Sequence, residues 1–186
     1  MYIDTFMIKA SKKVCGFEKL MHVVSIQAPI VIEESEKKGR RCAWNTQGQD
    51  LMQSQGYQYV QQIIEREIGA MGGRADRLFI AGVGVGGHIA VLSGFYSQHI
   101  VGGVFCLDTT LPDSFMHSVS AGAEAAAIFP LYEAKKNMFI CLTKWKASLG
   151  EDAICKAKEQ AQVLRGNGFC KTSLKEFKKS MSRAIN

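Results

Sequence analysis

The residues of this sequence best arranged for chemistry are the glycines of Gly82-Val83-Gly84-Val85-Gly86-Gly87. An apolar run, Arg77 to Ala81, precedes them and a helix-compatible run, His88 to about Ser97, follows, so strand, tight turn and helix come in direct succession. Gly82, Gly84 and Gly87 satisfy the G-x-G-x-x-G spacing that lets a backbone approach a pyrophosphate. Asp108 then closes the next apolar run, 21 residues beyond Gly87, where a ribose-binding carboxylate belongs. These four residues define one reading, a Rossmann-like domain for NAD or FAD. That fingerprint normally opens its domain, whereas here a strand and a long helix come first.

Other reactive side chains are scattered. His22, His88, His99 and His117 read as surface or partly buried histidines, and Cys106 and Cys141 as core thiols within apolar strands. Ser93 and Ser97 fall on the helix after the glycines, with no evident activator. The six cysteines form no Cys-x-x-Cys pair and the histidines do not cluster, so neither a zinc site nor a disulfide framework is expected. No metal and no cofactor enter the preferred reading.

The elements that must position these groups alternate. His22 to Gln27 is a β-branched run closed by Ala28-Pro29 and is expected to be a strand. The charged stretch Glu33 to Arg41 reads as a surface loop. From Asp50 to Met71, apolar residues recur at three and four positions and Gly72-Gly73 supplies a stop, which predicts an amphipathic helix. Val101 to Leu107, Asn137 to Leu142 and Gly168 to Ser173 are expected strands, and Glu151 to Arg165 an expected helix. Strands alternating with helices imply a largely parallel sheet covered on both faces. At 186 residues, 47% hydrophobic and with three prolines, the chain is expected to form a single globular domain over 1–186. No stretch approaches the ~18 apolar residues of a membrane span, and Met1 to Lys13 lacks a targeting signature.

The order and flanks of these segments resemble the acyl-protein thioesterase and carboxylesterase branch of the α/β-hydrolases, over roughly residues 20 to 175. In that family a strand ending Arg-Ile-x-x-Gly-Gly-Phe leads into Ser-Gln-Gly-Gly and a helix; here Asp76-Arg77-Leu78-Phe79-Ile80-Ala81-Gly82-Val83 leads into Gly84-Val85-Gly86-Gly87. Leu111-Pro112 after Val101-Gly102-Gly103-Val104 matches the family's Leu-Pro pair, and Ala28-Pro29 with Trp44-Asn45 its Ala-Pro and Trp-Phe-Asp segments. The resemblance implies a truncated, N-terminally shortened α/β-hydrolase fold, mostly a parallel sheet with helices on both faces.

It also implies what is missing. Gly84 stands where the G-x-S-x-G elbow carries its serine, Lys144 falls in the Thr143–Ala147 stretch that aligns with the acid's loop, and no histidine follows His117. Only the glycine Gly16 lies where the oxyanion loop should be. The expectation is therefore a vestigial elbow at Gly82, Gly84, Gly86 and Gly87 in a pseudoenzyme, with no small-molecule substrate, serving as a structural or interaction component of a larger protein assembly. The charge distribution suggests how it would be held there. From Lys135 to the end there are 12 Lys and Arg against 4 Asp and Glu, a net of +8 in a chain total of +6, which leaves −2 for residues 1–134. Lys171, Lys175, Lys178, Lys179 and Arg183, beside an apolar stripe of Leu174, Phe177 and Met181, are read as one terminal helix offering cations to an acidic surface. Other proteins are the expected partners, with nucleic acid also compatible. The expected location is the cytoplasm, with the cytoskeleton as the candidate assembly.

Overall fold

The computed structural model describes residues 22–35, 39–44 and 50–177. Among them the long periodic segment forms helix α1, Gln55–Ala70, burying Val60, Ile63, Ile64 and Ile68 on one face. It starts later than the period suggested because Ser54, in extended backbone, caps it: the Tyr57 N–H donates to Ser54 Oγ at 3.1 Å. Leu51–Gln53 ahead of it is a separate 3-10 turn capped by Asp50. The chain leaves α1 through Gly72 and Gly73, both at positive φ.

Four strands form a parallel sheet in the order β3-β4-β5-β6: β3 Phe79–Val83, β4 Gly103–Leu107, β5 Phe139–Trp145 and β6 Thr172–Phe177. The register runs Ile80 to Val104 to Ile140 to Thr172, and Gly82 to Cys106 to Leu142 to Leu174. Because strand side chains alternate, these even-numbered positions share one face. Val104, Cys106, Ile140 and Leu142 on that face are buried under helices α2, Val85–Tyr96, and α6, Lys146–Gly166. The other face carries a row of tilted rings, Phe79 to Phe105 at 6.2 Å and Phe105 to Phe139 at 5.6 Å, with Phe79 51% exposed. The described helices all pack on the even-numbered side.

Three short helices join β4 to β5: α3 Asp113–Ser120, α4 Ala125–Ile128 and α5 Tyr132–Lys135. Their buried aromatics and Phe169, which follows α6, close on the end of α2, where Phe95 meets Phe115 edge-on at 4.7 Å, Phe129 at 5.5 Å and Phe169 at 5.1 Å. Such ring pairs add about 0.5–1.5 kcal/mol each beyond area burial. Lys135 is wholly buried here, yet its Nζ donates to the carbonyls of Phe95 and Ser97 at 2.6 and 2.5 Å. Those carbonyls end α2 and have no partner further along the helix, so the lysine acts as its C-terminal cap.

Three expectations are corrected. His22 to Gln27 is not a strand; it runs as non-repetitive chain that no described strand pairs with, exposed except for Ile26, which packs against the α1 face. The charged segment read as a loop instead makes an antiparallel hairpin, β1 Ile30–Ser35 with β2 Gly39–Ala43, in which Glu34 stands opposite Arg40. The β-branched run Ile30 to Ile32 starts that hairpin. Finally, the basic C-terminal segment is not helical where it is described. Leu174 and Lys175 lie in β6, paired with β5, so their spacing is that of a strand; Lys178, Lys179, Met181 and Arg183 lie outside the described residues. No described helix is long and apolar enough to cross a membrane.

Candidate active site at the glycine elbow

The turn between β3 and α2 consists of one residue, Gly84, at φ 57° and ψ −124°. A residue with a side chain is strained in that conformation. Gly84 donates its N–H to the Leu107 carbonyl at 3.0 Å and accepts from the Gly87 N–H at 2.9 Å, which fixes the turn to β4 on one side and to the helix on the other. A Cβ placed on Gly84 would meet nothing within 4 Å, so the space over the elbow is open. Gly82 has the opposite reason for being glycine: a Cβ there would lie 2.0 Å from the Gly86 carbonyl oxygen, and its absence lets the first turn of α2 settle onto the strand. Gly87 packs similarly against Cys106 and Thr109, and the Trp44 indole covers Gly86.

A helix that begins this abruptly exposes its first N–H groups. Those of Val85 and Gly86 have no preceding turn to accept them, and they stand at the positive end of a 12-residue helix. Val85 is 47% exposed and forms part of the wall of a cleft of about 450 Å³. Leu51, Met52, Leu92 and Phe115 supply the apolar lining, while His88, Tyr96, Ser114, Ser118 and Asp50 supply the polar atoms. Open space above Gly84, donors at a helix start and an apolar trough beside them can hold a carbonyl that acquires negative charge.

His88 follows Gly84 by one helical turn, on the same face. Its Nε2 lies 2.7 Å from the Thr110 carbonyl and 3.0 Å from Thr109 Oγ1. Burial pushes its pKa below the usual value, and the Lys144 charge pushes the same way, against the opposing bond to Thr110. Read from sequence as one of four ordinary histidines, His88 is separated from the other three by its location. His99 is held at the surface by Glu65 at 2.9 Å, His22 is exposed 3.9 Å from Glu67, and His117 is exposed on the last turn of α3. A sequence signal existed: a histidine four residues beyond a turn glycine on a helix must share that glycine's side.

The C-terminal ends of the strands complete the site. Asp108 follows β4 at φ 51°, its N–H donating to Thr143. Lys144 is completely buried at the end of β5, and its Nζ has no hydrogen-bond partner among the described residues. Burial lowers its pKa, offset in part by Cys106 and Asp108. Burial pushes the Cys106 thiol up to about 12, so it is not a nucleophile at neutral pH. Ser93 is buried within α2, and Ser97 accepts from the His99 N–H. Of the basic residues, Lys171 and Lys175 are exposed at and near the outer strand, away from the elbow.

The dinucleotide reading of Gly82, Gly84, Gly87 and Asp108 is not favoured. Such a site needs the crevice where strand order reverses beside the first strand. Here the described strands run β3-β4-β5-β6 in one direction, and none pairs on the free side of β3.

No family model matches the sequence, and a comparison with curated proteins likewise gives no match. Solved structures do match. SOBER1 from Arabidopsis thaliana superimposes with a TM-score of 0.58 at 17% identity, over 85% of this chain and 76% of that one. Two point variants of the same protein give TM-scores of 0.57 at 18% and 17% identity over the same shares. The expectation that this chain is not an enzyme is corrected: its fold is that of the SOBER1 structures, and nothing in the likeness marks a loss of activity. Gly84 offers no side chain for nucleophilic attack, while the turn, the first N–H groups of α2 and the cleft beside them are present. The chain has an α/β fold, a parallel four-stranded sheet with helices, matching that of the SOBER1 structures.

Proposed function

We propose that this protein hydrolyses carboxylic esters or thioesters at the elbow cleft. The observation that carries the reading is the backbone of Gly84, held at φ 57° and ψ −124° with open space above it and the first N–H groups of α2 beside it. An acyl carbonyl seated there places its oxygen against the Val85 and Gly86 N–H groups, where charge developing during hydrolysis is stabilised. The apolar side of the cleft, Leu51, Leu92 and Phe115, suits the chain attached to that carbonyl.

Val85→Pro tests this with little risk to the fold. Proline is well tolerated at the first position of a helix, and it deletes one of the two N–H donors. Turnover of p-nitrophenyl butyrate and of S-butyryl-N-acetylcysteamine is expected in the native protein. The variant should lose about 10²- to 10³-fold in kcat, as for one oxyanion donor elsewhere. Native protein without turnover above buffer, or a variant with native kcat, refutes the reading.

A second, compatible reading is an acidic protein partner on the outer edge of the sheet. It is favoured by the exposure of Lys171 and Lys175 at and near β6, the last strand in the order. Lys171→Gln with Lys175→Gln should lower the salt concentration needed to elute the protein from immobilised polyglutamate. An unchanged elution position refutes it.

A further inference from the structure

We infer that His88 is the general base of the site, activating a water molecule for direct attack on the acyl carbon. This rests on the hydrolytic reading above and supplies what Gly84 cannot.

The tautomer follows from the contacts. A backbone carbonyl can only accept, so the nitrogen 2.7 Å from the Thr110 oxygen, Nε2, carries the proton. Thr109 Oγ1, 3.0 Å from the same nitrogen, is itself 3.2 Å from the Thr110 oxygen and donates there. In the neutral ring the lone pair is then on Nδ1, which no described residue hydrogen-bonds. The Thr110 carbonyl therefore does for this imidazole what an orienting carboxylate does in a triad: it fixes the ring and selects the basic nitrogen. The residue that bears it lies on the wall of the cleft, one turn along α2 from Gly84.

The surroundings keep that nitrogen free. Lys144 approaches from β5, and its charge opposes protonation of the ring. From the other elements around the cleft, Asp50 precedes the 3-10 turn and Tyr96 ends α2. Burial remains the largest influence on His88 and acts in the same direction as Lys144.

The step balances without any group outside the protein except water. Water oxygen bonds to the acyl carbon as His88 Nδ1 takes one of its protons, and the carbonyl electron pair moves onto the oxygen facing Val85 and Gly86. The tetrahedral oxyanion collapses, the C–O or C–S bond breaks, and Nδ1–H returns its proton to the departing alkoxide or thiolate. One water is consumed, one carboxylic acid and one alcohol or thiol are released, and no acyl group is ever attached to the chain.

That last feature separates the inference from a serine-type reaction. With p-nitrophenyl butyrate, His88→Gln should reduce kcat by about 10²- to 10⁴-fold while KM stays within about threefold, as expected for loss of a general base rather than of binding. Imidazole added to His88→Ala should restore part of the rate. In the native protein, kcat/KM should fall with decreasing pH below 6.5, and rapid mixing should show no burst of p-nitrophenolate. Should His88→Gln fail to fold, the native pH profile and the absence of a burst still decide. A His88→Gln kcat within about threefold of native, or a stoichiometric burst, overturns the inference. If Val85→Pro abolishes turnover while His88→Gln does not, the elbow stands and only the role of His88 falls; native protein without turnover overturns both.

Discussion

Among the described residues two lysines are wholly buried, and they sit in contrasting places. Lys135 lies among the aromatics beneath the end of α2 and gives its ammonium to two carbonyls. Lys144 lies at the C-terminal edge of the sheet, beside Cys106 and Asp108, with no hydrogen-bond partner among the described residues. Burying a polar group is costly unless it is hydrogen-bonded, so the first lysine contributes to stability and the second detracts from it. The interior is mostly closed by contacts, with the hydroxyls of Ser93 and Tyr132 left unpartnered among the described residues. The sheet edge holds together an unsatisfied amine, Asp108 at positive φ and the Gly84 turn that a residue with a side chain would enter only under strain, the pattern expected where structure yields to function.

The comparison can be broken at its strongest point first. Phe95 is fully buried at the centre of three ring contacts, so Phe95→Ala should cost about 3–5 kcal/mol in urea unfolding. A loss below about 1 kcal/mol would mean that the interior is not the rigid half. Lys135→Met should come next, at about 1–3 kcal/mol, because it strands the carbonyls of Phe95 and Ser97. Burial also lowers the Lys135 pKa to about 8, so between that value and the unfolded value near 10.5 the unfolded chain binds the extra proton. The contribution of this group to stability therefore rises with pH across that window. Urea titrations at pH 8 and pH 10 should show the rise in the native protein and not in Lys135→Met.

Lys144→Met should have the opposite sign, a gain of about 1 kcal/mol, since a methionine fills similar volume without an amine to satisfy. A loss of that size would show that Lys144 is held by a partner and would erase the contrast. The smallest effect belongs to His88. His88→Gln should change stability at pH 7.5 by less than about 1 kcal/mol, which separates its proposed chemistry from a structural role. Its depressed pKa makes the unfolded state the better proton acceptor below 6.5, so the native protein should lose stability as pH falls through that value. The variant should lose less, and parallel curves would contradict the burial of the ring.

Much of the interior half was legible in the sequence. The three- and four-residue spacing of Val60, Ile63, Ile64 and Ile68 is the buried face of α1, and the alternation of apolar runs with helical ones led directly to a parallel sheet. What propensity concealed was local. Glycines count against helix, so α2 was expected from His88; it begins at Val85 because Gly82 lets Gly86 lie directly on the strand. The charges of Glu33 to Arg41 suggested a loop, and the hairpin there depends on register between two segments, which neither one shows alone. The elbow's glycines were legible as a turn. The spacing of His88 from Gly84 was legible but the orientation of its ring was not, because the carbonyl that sets it belongs to Thr110, 22 positions away and brought near only by the β3–β4 pairing.

Lys135 has one more consequence, for motion. A helix held by two bonds at its last turn cannot fray there, while at its other end the first amides, those of Val85 and Gly86, have no intrahelical acceptor. Fluctuation of α2 is thus asymmetric, greatest at its first turn. Amide hydrogen exchange should be slowest around Val91 to Phe95 and fastest at Val85 and Gly86, so the helix is held hardest in the core and most loosely at its first turn.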